Sequence, residues 1–340
     1  MPSRSIGRPA PASPGQPLLA PVVAFAAMNA SRLPPAILIM GPTASGKTAA
    51  AMALADRFPV ELISVDSAQV FRDMDVGTAK PDKATLARYP HRLIDLISPE
   101  ESYSAARFRR EALAAMDEIT TAGKVPVLVG GTMMYFRALL HGLAELPQAD
   151  AALRAAIDAE AATEGWPAIH AKLAQLDPAT AARLHPTDSQ RLQRALEICR
   201  LTGRPMSELL AESEQQKPAY DFLQIALLPG ERAVLHERIA RRFDEMLQGG
   251  LDEEVRHLRQ KYQLSLDLPS MRCVGYRQAW EAQDGIIPKH ELRDRGIFAT
   301  RQLAKRQITW LGNSFDAENF DCLDPQLVNK VADRVGGFIG

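Results

Sequence analysis

Gly41-Pro42-Thr43-Ala44-Ser45-Gly46-Lys47-Thr48 follows the apolar run Ala36-Ile37-Leu38-Ile39-Met40 and precedes an alanine-rich stretch reaching about Arg57. The octapeptide fits GxxxxGK[ST]. Its flanks read as a buried strand and a helix, the context in which that pattern cradles phosphate. Backbone N–H groups of such a loop converge on phosphate oxygens, and the helix N-terminus adds a dipole that favours negative charge. Lys47 supplies a cation for the terminal phosphates and Thr48 a hydroxyl for Mg²⁺. The motif establishes a polyphosphate without saying which one.

Working outward, Glu61-Leu62-Ile63-Ser64-Val65 reads as a second strand ending at Asp66. A helix is expected from about Ser104 to Ala122, stopped by Gly123. Val125-Pro126-Val127-Leu128-Val129 reads as another buried strand, followed by Gly130-Gly131-Thr132 and a helix through Leu140. Apolar strands alternating with helices predict an α/β fold, a P-loop NTPase-like parallel sheet covered on both faces. From Pro147 to about Gln216 only helical periodicity is found, including a helix from Thr187 to Thr202 closed by Gly203. Phe222 to Leu227 then reads as a strand returning to the core. Helices are expected over Arg232–Gln248, Leu251–Lys261 and Glu291–Leu311. The predicted organisation is a disordered extension over 1–35, a core from 36–146 and 217–325, and a helical insertion over 147–216.

The chain has 340 residues, 46% of them hydrophobic and 24% charged, enough to bury a sizeable core. Its net charge of −1 makes any nucleic-acid site a local patch. Cys199, Cys273 and Cys322 form no CxxC pair, so no zinc ribbon or finger is written; each reads as a small buried hydrophobe. Residues 1–55 contain no Asp or Glu, and Leu18 to Met28 forms a short apolar run behind Arg4 and Arg8, as in a targeting peptide. Pro2, Pro9, Pro11, Pro14, Pro17 and Pro21 would break the helix such a signal needs. The preferred reading is a disordered extension, or an upstream start with initiation at Met28. No run of 18 uninterrupted apolar residues occurs. A cytoplasmic monomer without an obligate protein partner is expected.

Asp66 stands at the C-terminal end of a strand, where open α/β sheets carry functional residues. It could hold Mg²⁺ through water, accept a proton from an acceptor substrate, or only cap a turn. The stretch from Asp66 to Pro81 is a long polar loop. Gly130-Gly131-Thr132 falls on the same rim of the sheet as the phosphate loop.

Taken together, five stretches resemble the tRNA dimethylallyltransferase (isopentenyltransferase) family. They are Gly41–Thr48, Asp66–Pro81, Gly130–Phe136, Arg272-Cys273-Val274-Gly275-Tyr276-Arg277, and Ala299–Leu311. The resemblance implies that the loop holds the diphosphate of dimethylallyl diphosphate and hydrolyses no ATP. Gly41, Thr43, Ala44, Ser45, Gly46, Lys47 and Thr48 would then be the diphosphate-binding residues, with Mg²⁺ at Thr48. It further implies Asp66 as the base near an adenine amine, Ser67, Ala68 and Gln69 in contact with tRNA, and Thr132 at the reaction channel. The target base is the adenosine just 3′ of the anticodon, in the anticodon stem-loop. Phe71 stands where a tyrosine is expected, and no C-terminal zinc finger of the eukaryotic kind is written, so the bacterial form matches better.

Basic residues gather twice. Lys289, Arg293, Arg295, Arg301, Lys305 and Arg306 stand against Glu291 and Asp294; Arg191, Arg194, Arg200 and Arg204 stand against Glu197. Either cluster alone is as well explained by a solvated helix face. The resemblance places Gln190, Arg191, Leu192, Gln193 and Arg194, and also Arg272 to Arg277, against tRNA, and Lys305 and Arg306 are assigned with them. On the helix Arg232–Gln248, Leu235, Ile239, Phe243 and Met246 form an apolar stripe. The family's functional arginine is placed at Arg242, on another face. A small-molecule P-loop kinase using ATP, and a non-enzymatic RNA binder, are the competing readings.

Overall fold

The computed structural model describes residues 33–142, 146–147, 149–213 and 217–340. The predicted extension therefore lies outside the described residues apart from Leu33 to Pro35, and the first strand begins at Pro35.

Five strands follow the apolar runs or sit at the sheet edge: β1 (Pro35–Met40), β2 (Val60–Val65), β3 (His91–Arg92), β4 (Val125–Gly130) and β5 (Asp221–Leu228). With β6 (Glu318–Asp321) they form one sheet in the order β3-β2-β4-β1-β5-β6, and every pairing is parallel. Successive residues of β1 alternate between two cores, as strand geometry requires. Leu38 and Met40 join Ile63, Val65 and Leu128 beneath α3 (Ala105–Thr121) and α4 (Met133–His141), whose Phe108, Met116, Phe136 and Leu139 fill that side. Ile37 and Ile39 join Leu62 and Val127 on the other side, beneath α1 (Lys47–Ala55) and the C-terminal helix Leu327–Ile339. That last helix carries Val331 and Val335 into the core, so the core runs past the expected boundary at 325.

Between β2 and β3 lies α2 (Lys83–Arg88). The insertion consists of α5 (Ala151–Glu164), α6 (Trp166–Leu176), α7 (Pro178–Ala181), α8 (Ser189–Thr202) and α9 (Met206–Ser213). It has its own apolar centre of Ile157, Ile169, Leu173, Leu192 and Leu196.

A third cluster joins the loop after β2 to α10 (Arg232–Gln248), α11 (Leu251–Lys261), α12 (Tyr276–Gln283) and α13 (Leu292–Ser314). Val70, Phe71 and Met74 plug the loop into Leu235, Ile239, Phe243, Leu251 and Tyr276. The remaining helix, Leu327–Ile339, is α14. The 66–81 loop is thus anchored on a packed base. Glu254 of α11 accepts the backbone N–H groups of Asp75 (3.0 Å), Val76 (2.8 Å) and Gly77 (3.2 Å). The Lys80 amine, with its side chain 2% exposed, pairs with Asp75 and Asp95 and donates to the Phe71 carbonyl.

Candidate active site

The loop after β1 turns on Ala44 and Gly46, both left-handed (φ 63° and 81°), which strains Ala44 and suits glycine at 46. It hands the chain to α1 with Lys47 at the first helical position. Thr43, Ala44, Gly46, Lys47 and Thr48 line a cavity of about 620 Å³ at the C-terminal end of the sheet. Asp66, Ser67, Ala68, Gln69, Thr132, Arg242, Arg272, Cys273, Val274 and Arg306 line the same cavity. Gly41 and Ser45 do not reach it; Ser45 is buried behind the loop with its hydroxyl unpartnered.

Two cations meet here with little to neutralise them. Loss of solvent and then the neighbouring Arg242 together bring Lys47 down to about 7, against the opposing charge of Asp66. Arg242 is lowered by the same burial, again against Asp66, and its Nε finds no hydrogen-bond partner. Both side chains are half-buried, and cations partly withdrawn from water favour an anion between them. A diphosphate supplies one.

Asp66 is held by its own turn. Its Oδ1 accepts the N–H of Ala68 at 2.8 Å and of Gln69 at 3.4 Å, while Oδ2 accepts no hydrogen bond among the described residues. The Thr132 hydroxyl accepts the Ser67 N–H at 3.0 Å, tying the turn after β4 to the Asp66 loop. Gln69 accepts from the Ser64 hydroxyl at 3.0 Å. Cys273 is pushed up to about 12 by burial and by the charge of Asp66, which keeps its thiol neutral in the cavity wall.

Ile239, Phe243 and Met246 of α10, with Met133, Met134, Leu303 and Trp310, add an apolar stretch to the wall. The site therefore offers a cationic end, a carboxylate and a greasy channel between.

The family model described as IPP transferase matches residues 69–314. The chain belongs to that family. A tRNA dimethylallyltransferase of Dechloromonas aromatica is 83% identical over 312 residues, covering 92% of this chain and 99% of that protein. One from Thiobacillus denitrificans is 59% identical over 313 residues, covering 92% and 100%. Among solved structures, the full-length tRNA isopentenylpyrophosphate transferase of Bacillus halodurans is 36% identical with a TM-score of 0.66, covering 90% of this chain and 96% of that one. A eukaryotic dimethylallyltransferase acting on tRNA is 26% identical with a TM-score of 0.74, covering 89% and 77%.

Within this IPP transferase, the residues assigned to tRNA fall into two sets. Ser67, Ala68, Gln69, Arg272, Cys273, Val274 and Arg306 face the cavity. Lys305 and Arg306 are exposed, with no ion-pair partner among the described residues. Leu192 and Tyr276 are corrections: both are wholly buried. Leu192 fills the centre of the insertion, and Tyr276 donates to Glu254, bracing the loop that carries Asp66. Gly275 is buried beside Tyr276, and Arg277 pairs with Glu281 at 2.9 Å.

Arg194, also assigned to tRNA, is partly exposed and already bonded within the insertion. It donates to the wholly buried Glu197 at 2.7 Å and to the Pro147 carbonyl at 2.7 Å, so it braces the insertion. Gln193 donates to Asp158 at 2.6 Å, which leaves Gln190 and Arg191 as the exposed members of that set.

Three lining features escaped the sequence reading. The α10 stripe read as plain packing, yet its edge walls the cavity. Gln307 lay inside a quoted motif without a role. His91 lines the cavity with Nδ1 donating to the Tyr89 carbonyl at 2.7 Å and Nε2 buried and unpartnered. Burial lowers its pKa, so the imidazole is neutral and Nε2 is an acceptor. Nothing in the run Tyr89-Pro90-His91 signals this.

Proposed function

We propose that this enzyme transfers the dimethylallyl group of dimethylallyl diphosphate to N6 of the adenosine 3′ of the anticodon in tRNA. Diphosphate leaves and N6-dimethylallyladenosine remains. The observation that carries the reading is one cavity in which half-buried Lys47 and Arg242 stand with Asp66 and apolar side chains.

An adenine amine is a weak nucleophile because its lone pair is delocalised into the ring. As its nitrogen bonds to the allylic carbon, the C–O bond to diphosphate breaks and the electron pair departs with the leaving group. The N–H groups of the phosphate loop, Lys47 and Arg242 take up that developing charge. Asp66, its Oδ1 pinned by Ala68 and Gln69, receives the amine proton on Oδ2. The walls of Phe243, Met246, Met134 and Trp310 keep water from the allylic carbon. The adenine leaves its stack to enter, at a cost of about a few kcal/mol.

Among the described residues no group of three His, Cys, Asp or Glu side chains gathers to hold a metal ion. Thr48, at the first turn of α1 and open to the cavity, fits a Mg²⁺ carried mainly by substrate phosphates. That ion would neutralise charge on the diphosphate. No helix among the described residues is long and apolar enough to cross a membrane. A tRNA substrate fits a cytoplasmic enzyme, and action as a monomer is part of the proposal.

The test is incubation with tRNA and either dimethylallyl diphosphate or ATP, followed by nucleoside analysis. Dimethylallyl transfer from the first donor is expected; ATP-dependent phosphorylation without it would instead identify a kinase.

A further inference from the structure

We infer that Gln307 is a positioning residue that sets the spacing between the phosphate loop and the Asp66 loop; the inference rests on the reading above. Gln307 projects from α13, which is anchored by buried Ile297, Ala304 and Leu311. Its Oε1 accepts the Thr43 N–H at 2.9 Å, and its Nε2 donates to the Gly131 carbonyl at 2.9 Å. The carboxamide thus spans the loops that leave the adjacent strands β1 and β4. Only Asn and Gln offer one acceptor and one donor in that fixed arrangement, and Asn is shorter by a methylene.

Two further observations converge on the same contact. A Cβ at Gly131 would lie 2.5 Å from Gln307 Nε2, so the bare glycine makes room for the carboxamide. Beyond Gly131, the Thr132 hydroxyl accepts the Ser67 N–H, next to Asp66. A continuous line of hydrogen bonds and chain therefore runs Thr43, Gln307, Gly131, Thr132, Ser67, Asp66. It joins the group that holds the leaving diphosphate to the group that takes the proton. Gln307 touches neither reacting atom; it fixes how far apart the two ends sit.

The experiment is a double-mutant cycle with Gln307→Ala, Gly131→Ala and the pair. Gln307→Ala should raise KM for dimethylallyl diphosphate on the order of tenfold, the scale of two lost hydrogen bonds, and should lower kcat as well. KM for tRNA should stay within about twofold, because Gln307 bonds the phosphate loop directly and reaches the Ser67 loop only through Gly131 and Thr132. Gly131→Ala should be harmful alone by pushing the carboxamide aside. In the Gln307→Ala background its Cβ finds space, so the double variant should be no worse than Gln307→Ala. Wild-type donor kinetics in Gln307→Ala, equal rises in both KM values, or additive losses in the pair would each overturn the inference. Absence of transfer by the wild-type enzyme would strike the functional reading instead. In that case calorimetric binding of inorganic pyrophosphate decides alone: unchanged affinity in Gln307→Ala would overturn the latch, and weakened affinity would support it.

Discussion

Arginines in the insertion and at the end of the sheet look alike in sequence and behave as opposites. In the insertion, Arg154, Arg191, Arg194, Arg200 and Arg204 each meet a carboxylate. Arg200 forms a two-pronged pair with Glu160, whose carboxyl is held down to about 2 by Arg200 and then Lys172. At the sheet end, half-buried Arg242 and Lys47 share Asp66 as counter-charge, and the Lys47 amine donates to the Pro42 carbonyl at 2.6 Å. The first arrangement is complete without a ligand. The second is not. A run of basic residues is therefore a weak guide to function, whereas half-buried cations in a cavity without a carboxylate in ion-pair contact among the described residues are a strong one.

The sharpest way to break that contrast is to remove the acid between the cations. Asp66→Asn keeps the shape and removes the proton acceptor, so turnover should fall by about 10²–10⁴-fold while tRNA still binds. The measurement is single-turnover transfer across a Mg²⁺ titration. Full rescue by excess metal would make Asp66 a metal ligand and not a base.

Lys47 gives the next largest effect. Lys47→Ala removes a charge-assisted contact to the diphosphate, a loss of about 1.5–3 kcal/mol in binding, or roughly 10- to 150-fold. The retained lysine should also report its burial through pH. In the empty site its pKa is about 7, against the ordinary 10.5, and an arriving anion restores the proton. Between those values binding takes up a proton, so affinity falls as pH rises through the window. For folding the sign is reversed: the unfolded chain holds the proton more tightly there, so the empty protein gains stability as pH rises from about 7. Titration of pyrophosphate at pH 8 in buffers of different ionisation enthalpy should show uptake by wild type in excess of Lys47→Arg. Equal uptake would dissociate Lys47 from the anion.

In the insertion the expected effect is on stability. Burial opposes ionisation of Glu197, yet hydrogen bonds from Arg154 and Arg194 prevail and hold its carboxyl down to about 2. Its contribution is present above the ordinary carboxyl value and is lost as pH falls from there through about 2. Arg194→Ala leaves Arg154 in place but removes the hydrogen bonds to Glu197 and to the Pro147 carbonyl, the charged one alone costing about 1.5–3 kcal/mol by denaturant titration. An unchanged midpoint would deny Arg194 the role of brace.

What was legible in the sequence follows the same division. Buried parallel strands are continuous apolar runs, so β1, β2, β4 and β5 stood out. The edge strands did not: His91–Arg92 is two residues long, and Glu318–Asp321 is polar and half exposed. Helix α12 is short and opens on Gly275, while α14 was not read although its Leu327, Val331 and Val335 fall at helical spacing. At the site, the phosphate loop and Asp66 were visible because their spacing carries chemistry. Leu192 and Tyr276 were misplaced because a motif records which residues recur together, not which way each side chain points. Gln307 and His91 act through contacts with residues distant in sequence or with their own turn. No local pattern encodes those.

The smallest effect decides whether the insertion touches RNA at all. Arg191 is 72% exposed and pairs with Asp188 at 3.0 Å, a surface contact of little energetic weight. Asp188 caps α8 and Arg191 occupies its third position, so Arg191→Glu would write a capping box. Stability should then change by less than about 1 kcal/mol. Any effect on tRNA would be electrostatic: KM for tRNA should rise a few-fold and its salt dependence should weaken, while KM for dimethylallyl diphosphate stays put. An unchanged KM for tRNA would make the insertion's charges wholly internal, and would shift the burden of backbone contact to Lys305 and Arg306. Both are exposed with no ion-pair partner among the described residues, and Arg306 lines the cavity, so charge reversal there would have to exceed the effect at Arg191 for the contrast between the two regions to hold.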